Sequence, residues 1–422
     1  MKHLISTEGS DRGTGYNVSN RMIRRDGKLL IGWLDAPLEK GDPVRAMLGV
    51  CDLDTGALQN TFQIGSGIDN HCGSALAMDA NGRVHAVVGA HHGPFSYRYS
   101  DDPTRETAWS EPESLGEQGT YPSLVVDAAG TLHLAHREKG GRWHLLYRRK
   151  KAGQAWEAPR VMAISPVPGY NHFMQSLAVG PTGDIHLVFQ FHFAESGNAA
   201  DCRGRAAVYV KSEDGGDTWL NEDRQVDAPI TLESMQAICH APDGGDGRHS
   251  IRVGNLTVDA NNHPWFFCSF VGYSSGVIWR KTDQGWQMID LADRLDGLNM
   301  EGGRATSLSQ DSLGNIHFAF ATDPTGQRCQ WFAPTLELFH LVLDIEGNRV
   351  SLAQVTDVDN NAANWLPAFE QWDWTRLDQT YEGGHYLMYT RGLNAGGIGG
   401  DNKSALKTEI LLTQTGITKD TH

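Results

Sequence analysis

Five stretches of the chain alternate apolar and polar residues with the period of a strand, break at a short turn, and resume the alternation. They are ALAMDANGRVHAVV (75 to 88), SLVVDAAGTLHLAH (123 to 136), SLAVGPTGDIHLVF (176 to 189), NLTVDANNHPWFFC (255 to 268) and SLSQDSLGNIHFAF (307 to 320). Weaker copies lie at MIRRDGKLLIGW (22 to 33) and YEGGHYLMYTR (381 to 391). A two-residue period on both sides of an Asp, Asn and Gly turn specifies a β-hairpin. After several of these hairpins a further strand carries Tyr or Trp, as in FSYRYS, HLLYRRK and GVIWRKT. Helical periodicity is nearly absent. Seven such units at a mean spacing of about 60 residues predict sheets of about four strands set radially. The predicted fold is all-β, a seven-bladed β-propeller, forming one catalytic domain over residues 1–422.

Composition supports one repetitive architecture over two or three separate cores. Glycine is abundant, at 48 residues, and tryptophan is high, at 12. No apolar run approaches the roughly 18 residues that a membrane helix needs, which predicts a protein with no membrane partner. The formal charge of −15 excludes broad nucleic-acid binding, because such a surface must be basic to displace counterions from phosphate. An acidic polysaccharide remains open as a partner, provided that a few arginines are concentrated where the anion sits. Cys51, Cys72, Cys202, Cys239, Cys268 and Cys329 are scattered and form no CxxC, so mostly free, buried thiols are expected. The N-terminal MKHLISTEGSDRG has no apolar signal region. The expectation is a cytoplasmic protein, or a secreted or periplasmic one if a signal has been removed.

KSEDGGDTW (211 to 219) fits the Asp-box turn S-x-D-x-G-x-T-W of sialidase-like propellers. Its residues are expected to stabilise a hairpin at a blade rim, with no part in catalysis. The repeat also sorts the histidines. His85, His133, His186 and His317 share one slot, three residues after the turn, and a residue that recurs blade after blade serves a need that every blade has. They are expected to pack or hydrogen-bond between neighbouring blades.

The remaining histidines fall outside the slot. Pairing outward from the turn at Ala80 and Asn81 brings His71 opposite position 90 or 91. The same construction brings Tyr121 to Arg137 in the next hairpin and His172 to His192 in the one after. Three consecutive blades therefore present His/His, Tyr/Arg and His/His pairs at one end of the channel. Strand parity favours His91 over His92 as the partner of His71, but a bulge at Gly89 would reverse this, so both are kept.

A tyrosine, histidines and an arginine with no carboxylate pair beside them suit glycoside hydrolysis poorly. They suit β-elimination from a uronic acid, in which an arginine neutralises the carboxylate, a Tyr or His base takes the C5 proton, and an acid protonates the departing O4. The phrases DNHCGSALAMD, GAHHGPF and TYPSLVVDAAGTLHLAHR resemble the propeller-fold ulvan lyases, which cut between rhamnose 3-sulfate and glucuronate or iduronate. The resemblance is strongest over residues 65 to 140. It implies a polysaccharide lyase that leaves an unsaturated uronic acid at the new non-reducing end. His71 and His91 would be a histidine pair at the scissile site, Tyr121 the proton-transferring tyrosine and Arg137 the carboxylate neutraliser, with His92, His172, His192 and Arg304 binding substrate. No cofactor is required for this chemistry. The resemblance also admits a structural zinc or calcium ion, although His192, Cys202, Cys239 and His240 match no defensible ligand spacing. Two alternatives stand: a sialidase-like hydrolase using Arg137, Arg252 and Arg304, which lacks the Arg-Ile-Pro signature, and a glycan-binding propeller without catalysis.

Overall fold

The computed structural model describes residues 2–16, 18–241, 250–270, 276–300, 306–325, 333–376, 384–395 and 400–416. Arg304 and Cys329 lie outside the described residues. Six of the predicted hairpins form where the alternation places them. They pair Met22–Arg25 with Lys28–Asp35, Ala75–Met78 with Val84–Val88, the end of Glu113–Val126 with Leu132–Glu138, Gln175–Val179 with Ile185–Phe193, Ile251–Val258 with Pro264–Phe270, and Thr306–Gln310 with Ile316–Thr322. The seventh differs from expectation. His385–Gly392 pairs with Ala363–Phe369, so its partner strand precedes a long connection that carries no tight-turn signal.

The molecule is an all-β propeller. Apolar faces meet between neighbouring sheets: Leu30, Leu48 and Val50 pack with Leu76, Val84 and Ala86, and Trp265 and Phe267 pack with Leu308, Phe318 and Leu341. Inner strands from successive hairpins surround one channel lined by Met22, Leu76, Leu124, Leu177 and Leu256. Lys2–Gly9 pairs with Thr408–Thr415, whose other neighbour is His385–Gly392. A strand from early in the chain thereby joins the last sheet and closes the ring, hiding edges that would otherwise stay unpaired.

Glu113–Val126 belongs to two units at once. Its first half pairs with His91–Ser100 and its second half with Leu132–Glu138. Thr120, at the junction, has His91 as partner on one side and Arg137 on the other. The adjoining Tyr121 has φ of 53° and sits at the register shift between Ala135 and Arg137. Such an extra residue in a strand bends it and re-aims a side chain, here the phenol.

The repeat histidines are structural; their hydrogen bonds lie mostly within a unit, while two also reach the neighbouring one, His186 by a hydrogen bond and His317 by packing on His385 at 4.2 Å. Three of the four reach diagonally to the third strand and back to their own turn. His85 bonds Tyr97 (2.7 Å) and Asp79 (3.4 Å), His133 bonds Tyr147 (2.7 Å) and Asp127 (3.2 Å), and His317 bonds His340 (2.9 Å) and Asp311 (3.2 Å). Only the His186 bond crosses to the next hairpin, at Asn262 (3.1 Å), in addition to Tyr209 (2.7 Å).

Burial depresses His85 and His186 to about 4, because a low-dielectric site disfavours the imidazolium. An unfolded histidine titrates near 6.5, so this stabilisation is complete above about pH 6.5 and is lost as pH falls towards the folded value. The unfolding free energy from urea titration is therefore expected to drop on acidification from about pH 7 to about pH 5, with a limiting slope of about 1.4 kcal/mol per pH unit for each such histidine. A flat profile over that window would contradict neutral burial.

The Asp-box behaves as a turn. Ser212 Oγ donates to Asp214 (2.7 Å), Thr218 N donates to Asp214 (2.8 Å), and the Trp219 ring packs on Tyr147 at 5.1 Å. Five of the six cysteines are described. All five are free thiols, four buried and Cys239 half-buried.

Candidate active site

One end of the propeller holds a cavity of about 740 Å³ lined by His71, His91, His92, Tyr121, His172 and His192. Hairpin register gathers them. The His71 and His91 rings stack at 4.3 Å and 11°, His91 lies 5.7 Å from Tyr121, Tyr121 lies 5.2 Å from His172, and His172 lies 5.5 Å from His192. Both His91 and His92 reach the cavity, because Gly89 takes a φ of 90° and His92 one of 51°, which breaks strand parity between them.

The histidine pair is held by a residue that strand pairing alone does not single out. Asp69 accepts Nδ1–H from His91 at 2.8 Å and from His71 at 3.3 Å, one imidazole on each carboxylate oxygen. An ionised carboxylate only accepts, so both Nδ1 atoms carry the proton and both Nε2 atoms present a lone pair. His71 Nε2 takes a hydrogen bond from Arg12. His91 Nε2 meets no partner among the described residues, which leaves it the nitrogen available to a substrate.

Burial opposes ionisation of Asp69, but the bonds from His71 and His91 outweigh it and hold the carboxyl well below the usual range. Burial pushes His71 down to about 4 and His91 and His92 to about 3, with neighbouring His71 adding to the effect on His91. Both rings of the pair are neutral near pH 7. Tyr121 is held well above the usual phenol range by burial, reinforced by Tyr16 and Tyr170, with Arg137 and Arg12 opposing. The phenol is therefore protonated and placed to donate.

Arg137 stands beside Tyr121, as hairpin counting predicts, but it does not line the cavity. It is fully buried, at 0% exposure, and lies behind the cavity wall. Its guanidinium donates to the Tyr170 hydroxyl (3.1 Å), the Asn171 carbonyl (3.3 Å) and His92 Nε2 (3.2 Å). It is enclosed by the rings of Tyr121, Trp143 and Tyr170 at 4.9, 4.8 and 5.2 Å. The cations that line the cavity are Arg12, Arg203 and Arg252. Arg252 donates to His192 and to Ser250 Oγ. The arginines of a sialidase-like triad thus hold different groups, Arg137 behind Tyr121 and Arg252 on His192, while Arg304 is outside the described residues.

Sequence reasoning also missed Tyr16, 5.5 Å from both His71 and Tyr121, and Tyr170. Asp69 carried a faint signal as the Asp of DNHC. Arg12 and Tyr16 lie in a loop with no repeat to index them.

Asp69, His71 and His91 form a group of donors within 4.8 Å of one another, the one such set among the described residues. It does not fit a zinc or calcium ion. An imidazole lone pair lies in the ring plane, and two nearly parallel planes cannot converge on a metal about 2.1 Å from both nitrogens. The geometry is that of a hydrogen-bonded clamp. His192, Cys202, Cys239 and His240 do not gather into a comparable group.

Comparison with known proteins agrees with this architecture. No curated protein sequence matches the chain. Among solved structures, an ulvan lyase of polysaccharide lyase family PL25, bound to -[GlcA(1-4)Rha3S]-, aligns over 97% of this chain and 96% of its own, with 14% identity and a TM-score of 0.69. The polysaccharide lyase Uly1 aligns over 96% and 93%, with 14% identity and a TM-score of 0.61. The BP39L lectin from Burkholderia pseudomallei aligns over 93% and 99%, with 11% identity and a TM-score of 0.51. These identities establish a shared fold. The family model described as "BNR repeat-containing family member" matches residues 46–294, more than half of the chain and inclusive of the Asp-box, and the chain belongs to that BNR repeat-containing family.

Proposed function

We propose that the protein is a polysaccharide lyase that cleaves a uronate-containing, ulvan-like glycan by β-elimination. The observation that carries this reading is the carboxylate count. Asp69 is the sole carboxylate lining the cavity among the described residues, and both its oxygens are occupied by imidazoles. Hydrolysis of a glycosidic bond ordinarily needs two carboxylates flanking it. Elimination needs a base, an acid and a cation, and these line the cavity as His91, Tyr121 and arginine. A chain of net charge −15 that places three arginines on one cavity also suits an anionic substrate.

In this reading His91 Nε2 takes the C5 proton while the Tyr121 hydroxyl gives its proton to the departing O4. The C–H electron pair becomes the C4–C5 double bond, and the C4–O4 bond breaks. The products are an unsaturated uronate and a new hydroxyl end, and the imidazolium returns its proton to the phenolate to reset the site. No metal is required.

Incubation with ulvan tests the reading. Ultraviolet absorbance from the conjugated double bond, rising with new chain ends, is the expected result. New reducing ends without that absorbance would replace the lyase reading with hydrolysis, and binding without either would leave a glycan-binding propeller.

A further inference from the structure

We propose that Gln175 is a positioning residue acting through Tyr121: its side-chain amide fixes the backbone bend that aims the phenol into the cavity. This rests on the lyase reading above.

The strand Glu113–Val126 does not hold Tyr121 by its own pairing. Its register with Leu132–Glu138 passes from Thr120 opposite Arg137 to Ser123 opposite Ala135, and skips Tyr121 and Pro122. A φ of 53° is unfavourable for tyrosine, and such a conformation persists only where its surroundings over-determine it. The Tyr121 N–H donates to the Ala90 carbonyl at 3.4 Å, on the segment that leads into His91. The skipped carbonyl belongs to a residue 7% exposed, and a buried acceptor needs a donor. Gln175 Nε2 supplies it from the first position of Gln175–Val179, in the next hairpin. Gln175 is fully buried, and its Oε1 meets no partner among the described residues, so the hydrogen bonding of this side chain is spent on Tyr121. Its neighbour Met174 packs with the Tyr121 ring. Consecutive residues thereby hold the ring and its backbone.

The contact stands apart from the common frame of the propeller. That frame hooks each unit to the next by a short polar side chain and a backbone N–H: Leu177 N donates to Ser123 Oγ (2.9 Å), Leu256 N to Ser176 Oγ (3.1 Å), Leu308 N to Asn255 Oδ1 (2.8 Å) and Phe369 N to Ser307 Oγ (3.0 Å). Two residues before the hairpin leucine, the other copies carry Ser74, Pro122, Gly254 and Thr306, none with the reach of a primary amide. One other bend among the described residues puts a left-handed residue before a proline, Leu366 (φ 53°) before Pro367. Its carbonyl is also met from outside its strand, by Thr14 Oγ1 at 2.7 Å. Such a bend therefore takes a donor from a neighbouring segment, and at Tyr121 what the donor holds is the proposed acid.

Wild type, Gln175→Met and Gln175→Glu are compared on ulvan, each with and without Tyr121→Phe, below the melting temperature of every variant. Methionine keeps the volume and loses the donor. Misplacing a reacting group by a fraction of an ångström to about 1 Å costs up to about 10²-fold, so Gln175→Met is expected to lower kcat by about 10- to 100-fold with KM within a few-fold. In the Tyr121→Phe background the same change should cost nothing further, because the group it positions is gone. Glutamic acid has the shape of glutamine, and burial against a carbonyl keeps it neutral. Its O–H can replace the lost donor and should restore part of kcat. Gln175→Asn, one methylene too short to reach, repeats the comparison if the methionine variant does not fold. Equal fold-losses in the two backgrounds, or a glutamate variant no faster than the methionine one, would make Gln175 a packing residue and overturn the assignment while the lyase reading stood. Wild type producing no unsaturated product would overturn the lyase reading and this assignment with it.

Discussion

Replacing Tyr121 with phenylalanine is expected to lower kcat by on the order of 10²- to 10⁴-fold, the range for removal of a positioned general acid. KM and the melting temperature should change little. The ring makes the structural contacts: it packs edge-on against Tyr16 at 5.5 Å and His172 at 5.2 Å and covers the Arg137 guanidinium. The backbone carbonyl, which accepts from Gln175, is untouched. The φ of 53° is unfavourable for tyrosine and phenylalanine alike, so it cancels in the comparison. What remains is one hydroxyl, and steady-state kinetics on ulvan isolates it. Turnover within a few-fold of wild type would remove Tyr121 from proton transfer and leave the ring as a wall of the cavity.

The parts of this site that were legible in the sequence are those that hairpin arithmetic can reach. A turn at Ala80 and Asn81 fixes which residues face each other farther out, so the His71 and His91 encounter follows from counting. The same holds for Tyr121 beside Arg137 and His172 beside His192. Counting gives adjacency along a sheet and is silent on depth. Arg137 is adjacent to Tyr121 as expected, but Trp143 and Tyr170, from other segments, close over it and turn a proposed ligand contact into a buried one. Arg12 and Tyr16 were out of reach for a different reason. Their loop is placed by the pairing of Lys2–Gly9 with Thr408–Thr415, a contact across almost the whole chain that no local pattern encodes. The seventh hairpin was misassigned by the same logic, since its connection from Phe369 to His385 is long and its first strand lacks the Asp-x-x-Gly turn that marked the others.

Asp69→Asn is expected to cost nearly as much as loss of the phenol, on the order of 10²-fold or more in kcat, although Asp69 touches no substrate in this reading. Each imidazole bonds a different carboxylate oxygen, and the amide puts an NH2 donor in place of one of them, so it cannot accept from both Nδ1–H groups where they stand. One imidazole must then change tautomer and place its proton on Nε2. If that ring is His91, the lone pair that takes the C5 proton is gone. If it is His71, two donors, Arg12 and the new Nε2–H, face each other, and the stack at 4.3 Å is disturbed instead. Removal of the carboxylate also weakens His91 as a base, because Asp69 is the charge that partly offsets the depression caused by burial and by His71. KM should stay within a few-fold, since the cavity keeps its shape and its arginines. Nitrogen NMR of the imidazoles provides the readout that a purely structural role would not move. Wild type should show Nδ1–H on both rings, and the variant should show an Nε2–H signal on one. A variant that melts earlier but keeps wild-type kcat and both Nδ1–H tautomers would reduce Asp69 to a packing element and take His91 out of the role of base.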